Sequence, residues 1–90
     1  MKKIMLSNKI RGWVSDTNIS YEGSITIGKD LLALTSIILY EQVHVLNINT
    51  GDRFITYVLE GKSKDICLNG AAARLGQIGD EVIILAYEIK

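Results

Sequence analysis

The dipeptide Gly23-Ser24 lies between Tyr21-Glu22 and the stretch Ile25-Thr26-Ile27. A serine hydroxyl can attack the carbonyl that precedes it when the backbone is contorted, and glycine has no Cβ to resist that geometry. The resulting N-to-O acyl shift turns the amide into an ester. Because elimination and hydrolysis can then break the chain and leave a pyruvoyl group, this dipeptide is a candidate self-cleavage site.

Two later segments carry side chains suited to such chemistry. Residues 53–57, Arg-Phe-Ile-Thr-Tyr, include a guanidinium that can hold a carboxylate with two hydrogen bonds and a phenol that is protonated at neutral pH. Residues 69–73, Asn-Gly-Ala-Ala-Ala, place an amide beside a glycine. Each feature alone also has an ordinary explanation, since Gly-Ser and Asn-Gly are common turns and strand tyrosines and arginines often serve packing or solvation.

The order of these segments resembles that of the pyruvoyl-dependent L-aspartate decarboxylases. The matching sequence extends from Met5-Leu6 and Lys9, through residues 66–74, to Val82-Ile83-Ile84. The resemblance implies decarboxylation of L-aspartate to β-alanine and carbon dioxide. The β-alanine would be a precursor for the synthesis of pantothenate and coenzyme A. The reaction would pass through a Schiff base to a pyruvoyl group made from Ser24. The resemblance also implies a single domain, 1–90, that cleaves itself into 1–23 and 24–90.

The resemblance assigns a role to individual residues. The catalytic residues are Ser24 and Tyr57, with the phenol as proton donor. Self-processing is assigned to Gly23, Ser24, Thr56 and Asn69, the last two as hydrogen-bond donors of the oxyanion-hole kind. Substrate binding is assigned to Lys9, Arg53, Thr56, Gly70, Ala71 and Ala72. The expected cofactor is the pyruvoyl group, and no metal is expected.

Strand geometry limits how Arg53 and Tyr57 can act together. Residues 53, 55 and 57 would share one strand face, and Thr56 would point to the other. Four strand steps separate Arg53 from Tyr57 by roughly 13 Å. Both can touch one small substrate only if Arg53 reaches inward or a neighbouring subunit contributes one of them. The resemblance implies a homotetramer with active sites between protomers, and it allows for a maturation factor.

Composition excludes several other classes of function. Ten basic and ten acidic residues give no net charge, so nucleic acid and acidic membranes are not expected partners. The single Cys67 and single His44 allow neither an intrachain disulfide nor a zinc site of soft ligands. We interpret Cys67 as a small core residue and His44 as a surface or interface residue. No secretory or transmembrane segment is recognised, and a cytoplasmic location is expected.

Glycines and Asn-containing turns separate short apolar runs, a pattern that predicts strands. Strands are predicted at 3–6, 13–15, 23–27, 42–48, 53–59, 65–68 and 81–89, and short helices at 29–36 and 71–75. This pattern predicts an all-β fold, a small closed barrel of six to seven strands, which the resemblance makes one of double-psi type. The apolar run 82–87 predicts a strand buried on both faces, in the core or in an interface.

The sequence departs from the family pattern at two points. Ile10 follows Lys9, whereas family members usually carry a histidine just after this lysine, and family chains usually continue a few dozen residues beyond the last strand. A second class of function therefore stays open. The chain could be a catalytically inactive or unprocessed barrel homologue that acts as an oligomeric scaffold or a regulatory binding module.

Overall fold

A computed structural model describes residues 1–90, and strands make up most of the fold. The strands are β1 (Ile4–Trp13), β2 (Asp16–Asn18), β3 (Ser24–Gly28), β4 (Gln42–Asn47), β5 (Arg53–Gly61), β6 (Ile66–Asn69) and β7 (Glu81–Ile89). A single turn of helix, α1 (Lys29–Leu32), follows β3, and a 3₁₀ helix (Gly70–Leu75) follows β6. Neither helical segment has the length and apolar character that a membrane-spanning helix requires.

The prediction of a mainly β fold is confirmed, and β3 to β7 each lie within two residues of the predicted bounds. The first strand is longer than predicted, because a bulge between Leu6 and Asn8 lets the polar stretch after Leu6 remain paired with β7. The predicted strand 13–15 is wrong, because Trp13 ends β1 and Val14 and Ser15 lie outside any strand, and the short strand β2 was not predicted. The predicted helix 29–36 ends at Leu32, and the following residues form turns.

All seven strands belong to one sheet with the order β1-β7-β4-β5-β3-β6-β2. Strand β3 runs parallel to β5 and antiparallel to β6, so it is held on both sides. The prediction of a closed barrel is not confirmed, because β2 pairs only with β6 and no hydrogen-bonded ladder joins it to β1. The chain itself crosses from β1 to β2 through Val14 and Ser15, and the Ser15 N–H donates to the Ile66 carbonyl at 2.8 Å.

Strand β7 shows how the sheet divides into a core face and an outer face. Val82, Ile84 and Ala86 are fully buried, and the residues between them are only half-buried. The apolar run 82–87 is therefore buried on one face within the protomer, and burial of its other face in an interface stays a prediction. Inward-facing residues from most of the sheet form one cluster of 15 buried side chains. The outer face of β1, β7, β4 and β5 has no covering layer.

A buried polar contact fixes the segment that follows β6. Asn47, at the end of β4, donates from Nδ2 to the carbonyl of Leu75 at 3.0 Å and to Asp80 Oδ2 at 2.9 Å. Asp80 Oδ2 also accepts the Gln77 N–H at 3.0 Å. Because Leu75 ends the 3₁₀ helix, these bonds anchor the helix that begins beside Asn69.

Candidate active site

Ser24 is the first residue of β3, and its side chain is completely buried. Its Oγ donates to the Glu22 carbonyl at 2.8 Å and accepts a hydrogen bond from Asn69 Nδ2 at 3.1 Å. Ser24 and Asn69 are directly opposite each other in the β3–β6 ladder, so strand pairing brings the two residues together. Two contacts thus fix the serine hydroxyl beside the Gly23-Ser24 peptide bond.

Asn69 is the centre of a wider polar network. It is only 2% exposed, and its Nδ2 makes a second hydrogen bond to Thr26 Oγ1 at 2.9 Å. Its Oδ1 accepts a hydrogen bond from the Cys67 thiol at 3.2 Å. Thr26 lies opposite Cys67 in the same ladder that pairs Ser24 with Asn69. The four polar side chains therefore lie next to one another on β3 and β6.

The prediction that Cys67 is a small core residue is wrong. It is half-buried, and its thiol contacts a polar partner. Burial, followed by the carboxylates of Asp16 and Asp65, raises the pKa of the Cys67 thiol. The sulfur therefore keeps its proton at neutral pH and can act as a hydrogen-bond donor.

Gly70 approaches the cleavage segment more closely than any side chain would permit. Its φ is +61°, and a Cβ built there would lie 2.6 Å from both the Gly23 nitrogen and the Tyr21 carbonyl oxygen. Gly23 itself is not at positive φ, and a Cβ there would meet nothing within 4 Å. In the intact chain, packing therefore requires glycine at 70 rather than at 23. The next two positions differ in exposure: Ala71 is exposed and Ala72 is buried.

Tyr57 lies next to the start of β3, because β5 runs parallel to β3 with Val58 opposite Ile25. Its hydroxyl donates to Glu22 Oε2 at 3.2 Å. Burial, followed by the charge of Glu22, raises the pKa of the Tyr57 phenol. Sequence reasoning did not single out Glu22, although its position immediately before Gly23-Ser24 is a signal that could have found it.

Thr56 lies on the opposite side of β5 from Tyr57. It pairs with Val43, which is fully buried, and Tyr57 pairs with the exposed Gln42. The two hydrogen-bond partners of Ser24 Oγ are Glu22 and Asn69, so the structure does not join Thr56 directly to the serine hydroxyl.

The two candidate cations lie elsewhere on the protomer. Arg53 Nη2 donates to the Tyr87 hydroxyl at 3.0 Å and lies 3.2 Å from His44 Nδ1, on the outer face of the sheet. Lys9 is exposed on β1, which is separated from β5 by β7 and β4. Three strand spacings amount to about 14 Å. One protomer brings together Ser24, Asn69, Gly70 and Tyr57 but not Lys9 or Arg53.

A cavity of about 570 Å³ opens beside the polar network and is lined by Thr26, Cys67 and Asn69 among other residues. Its charged lining residues are all acidic: Asp16, Glu60 and Asp65. Their negative potential opposes a dicarboxylate such as aspartate. The cavity thus gives small molecules access to the network, but within one protomer it offers no cation to a substrate carboxylate. No group of three or more His, Cys, Asp or Glu side chains is arranged to hold a metal ion.

The buried serine, with an amide donor on its hydroxyl and a glycine before it, defines a candidate self-processing site in a small β protein. The family model described as aspartate decarboxylase matches residues 1–90, and the chain belongs to this family.

Curated relatives agree with that membership. The chain is 56% identical over 88 residues to a Dehalococcoides mccartyi protein named aspartate 1-decarboxylase, covering 94% of this chain and 71% of the relative. It is 53% identical over 92 residues to a protein of the same name from Thermoanaerobacter pseudethanolicus, covering 99% and 79%. A third relative of that name, from Aliarcobacter butzleri, is 52% identical over 86 residues, covering 92% and 68%.

Proposed function

We propose that this protein is an aspartate 1-decarboxylase, a carboxy-lyase that converts L-aspartate to β-alanine and carbon dioxide for pantothenate synthesis. The observation that carries the proposal is the buried Ser24 hydroxyl, held between Asn69 Nδ2 and the Glu22 carbonyl at the start of β3. Family membership and the names of the relatives support the same activity.

Maturation begins with Ser24 Oγ attacking the carbonyl carbon of Gly23. A C–O bond forms, the C–N bond breaks, and the hydroxyl proton passes to the released nitrogen. Negative charge develops on the Gly23 oxygen, where hydrogen-bond donors such as Asn69 and Thr56 would stabilise it. Elimination then expels the Gly23 carboxylate, water adds, and ammonia leaves. The products are chain 1–23 and chain 24–90, the latter starting with a pyruvoyl group.

The residues around Ser24 fit such a group. A pyruvoyl unit has fewer heavy atoms than serine, so the space that encloses the buried serine can hold it. Loss of Oγ leaves Asn69 Nδ2 as a donor directed at this space. When present, the group supplies a ketone that takes up electrons as a carboxylate leaves.

The other functional side chains bind the substrate and move a proton. Tyr57 carries a proton at neutral pH and would return it to the substrate carbon after decarboxylation. Arg53 and Lys9 would bind the carboxylate that is retained, Arg53 through its two-pronged guanidinium. Thr56 and the segment Gly70-Ala71-Ala72 complete the proposed binding site.

Assembly would bring the cations to the serine. Because Lys9 and Arg53 lie apart from Ser24 within one protomer, we propose a homotetramer in which each pocket combines residues of two protomers. The uncovered outer face of β1, β7, β4 and β5 supports such contacts. The crossing from β1 to β2 supports closure of the sheet into a double-psi barrel, since Ser15 already bonds to Ile66. We also propose a cytoplasmic location, and a maturation factor is a partner to be tested.

Intact mass tests the self-processing. The wild-type chain should separate into 1–23 and 24–90, with the larger piece showing the loss of ammonia, and should make β-alanine from aspartate. Ser24→Ala should fold and remain at about 10.0 kDa. Ser20→Ala is the matched control, because Ser20 is exposed and close to the cleavage point. An intact wild-type chain that made no β-alanine, even after warming with cell extract, would instead support the scaffold alternative.

A further inference from the structure

We infer that Cys67 is a positioning residue for self-cleavage: its thiol holds the Asn69 amide in the orientation that presents the NH₂ group to Ser24. The inference rests on the proposed self-processing and adds a residue to it. The contact that carries it is the hydrogen bond from Cys67 Sγ to Asn69 Oδ1 at 3.2 Å. Cys67 would act through Asn69 and would not touch the reacting atoms.

The direction of each hydrogen bond follows from the Ser24 hydroxyl. That hydroxyl donates its one proton to the Glu22 carbonyl at 2.8 Å, so it can only accept from the Asn69 side. An asparagine side chain that turns over exchanges its oxygen and its nitrogen. In the reversed orientation the amide oxygen would face an oxygen that has no proton to offer. In the structure the NH₂ group faces Ser24 at 3.1 Å, the orientation that suits a hydroxyl whose proton is already donated.

The amide oxygen then needs a donor on its other side. Asn69 is 2% exposed, so protein groups are the main partners for its amide. The second N–H of Asn69 Nδ2 donates to Thr26 Oγ1 at 2.9 Å. The side chain that donates to Oδ1 is the thiol of Cys67. Strand register fixes the arrangement, since Cys67 lies opposite Thr26 and Asn69 lies opposite Ser24.

The orientation of this amide matters most when Ser24 attacks. As the hydroxyl loses its proton and charge develops on the Gly23 oxygen, a nearby NH₂ group stabilises the negative charge and an amide oxygen opposes it. Burial raises the pKa of the Cys67 thiol, which preserves the S–H donor at neutral pH. Removing this donor should lower the fraction of chains with the competent orientation, and cleavage should slow.

Three substitutions separate the hydrogen bond from the space that Cys67 fills. Cys67→Ala and Cys67→Val remove the donor with a smaller and a larger side chain, and Cys67→Ser keeps a donor. Cleavage of freshly purified precursor, followed by intact mass, should slow about three- to ten-fold in the Ala and Val variants, the effect of losing one hydrogen bond. The Ser variant should cleave within about two-fold of wild type, since a hydroxyl is the stronger donor. Thermal unfolding of each precursor checks that it is folded.

The outcomes distinguish this inference from the proposed function. Cleavage at the wild-type rate in the Ala and Val variants, or equal slowing in the Ser variant, would overturn the role of Cys67 and leave self-processing intact. If the wild-type chain never cleaves, the proposed maturation fails first. Exchange of the Asn69 side-chain amide protons, measured by NMR on that stable chain, then tests the positioning directly. Faster exchange in Cys67→Ala but not in Cys67→Ser is expected, and unchanged exchange in both would refute it.

Discussion

The hydroxyl of Tyr57 donates to the carboxylate of Glu22 at 3.2 Å, which joins β5 to the residue just before the Gly23-Ser24 pair. If the chain cleaves as proposed, the two partners come to belong to different chains, 1–23 and 24–90. The contact would then help to keep the new end of the shorter chain against the pocket. It would also leave Tyr57 beside a negative charge.

The first prediction concerns the pH dependence of the decarboxylation. A phenol donates its proton only below its pKa, and burial together with Glu22 raises that pKa. Glu22→Gln removes the negative charge, so the pKa of Tyr57 should fall and activity should be lost at a lower alkaline pH than in wild type. The measurement is β-alanine formation by fully processed protein across the alkaline range.

Ultraviolet titration of the phenols provides the control, with Tyr57→Phe identifying the signal of Tyr57. If Glu22→Gln changes neither the alkaline pH at which activity is lost nor the pH at which Tyr57 titrates, the carboxylate does not influence the phenol.

The second prediction separates Thr56 from Tyr57, which lie on opposite sides of β5. Tyr57→Phe keeps the ring but removes the donor, so the chain should cleave normally and lose β-alanine formation by about 10²- to 10⁴-fold, the range of general acid catalysis. Thr56→Val should instead slow the appearance of the pyruvoyl group. Mass spectrometry and the β-alanine assay report the two steps separately. Normal turnover by a fully processed Tyr57→Phe protein would exclude the phenol as proton donor.

The third prediction concerns the close approach at Gly70. In Gly70→Ala the new Cβ would lie 2.6 Å from the backbone of Tyr21 and Gly23, so the cleavage segment must shift and self-cleavage should slow. The left-handed backbone alone should also destabilise the fold by roughly 1–2 kcal/mol. Gly79→Ala is the matched control, because Gly79 also has positive φ but would meet nothing within 4 Å.

Thermal unfolding and the cleavage time course together decide this prediction. Both variants should lose stability, and only Gly70→Ala should also lose cleavage. Equal cleavage rates in the two variants would show that the contact with Gly23 has no part in processing.

The sequence predicted the parts of this fold that depend on local pattern. Short apolar runs between glycine- and asparagine-containing turns identified β3 to β7, because these turn residues mark where strands end. The full length of the first strand was not predicted, because its pairing with β7 continues past a bulge within a polar stretch. A bulge cannot be recognised from composition. The three-residue strand β2 exists only through its pairing with β6, which no local signal reveals.

The candidate site could likewise be predicted only in part from the sequence. Ser24, Asn69 and Tyr57 could be selected from their types and order along the chain. The roles of Glu22 and Cys67 depend on which side chains meet across β3, β5 and β6, and strand register is not readable from residue spacing alone. The requirement for glycine at 70 likewise arises from contact with a segment far away in the sequence.

The last prediction tests whether each pocket draws on two protomers. Arg53→Ala should remove most aspartate turnover and leave self-cleavage largely intact, because Arg53 contacts His44 and Tyr87 and not the Ser24 hydroxyl. Ser24→Ala should lose both. Neither variant alone should make β-alanine at an appreciable rate, and light scattering should find each in the same assembly as wild type.

Co-expression of the two variants with different tags then reports where the pocket lies. If Arg53 of one protomer serves Ser24 of its neighbour, equal random mixing should leave about a quarter of the pockets with both native residues, and activity should reappear in the doubly tagged assemblies. If both residues act within one protomer, no mixed assembly contains a native pair and the mixture should stay inactive. Inactive mixed assemblies, or a stable monomer that makes β-alanine, would refute the pocket between protomers, since Arg53 would then have to reach Tyr57 within one chain.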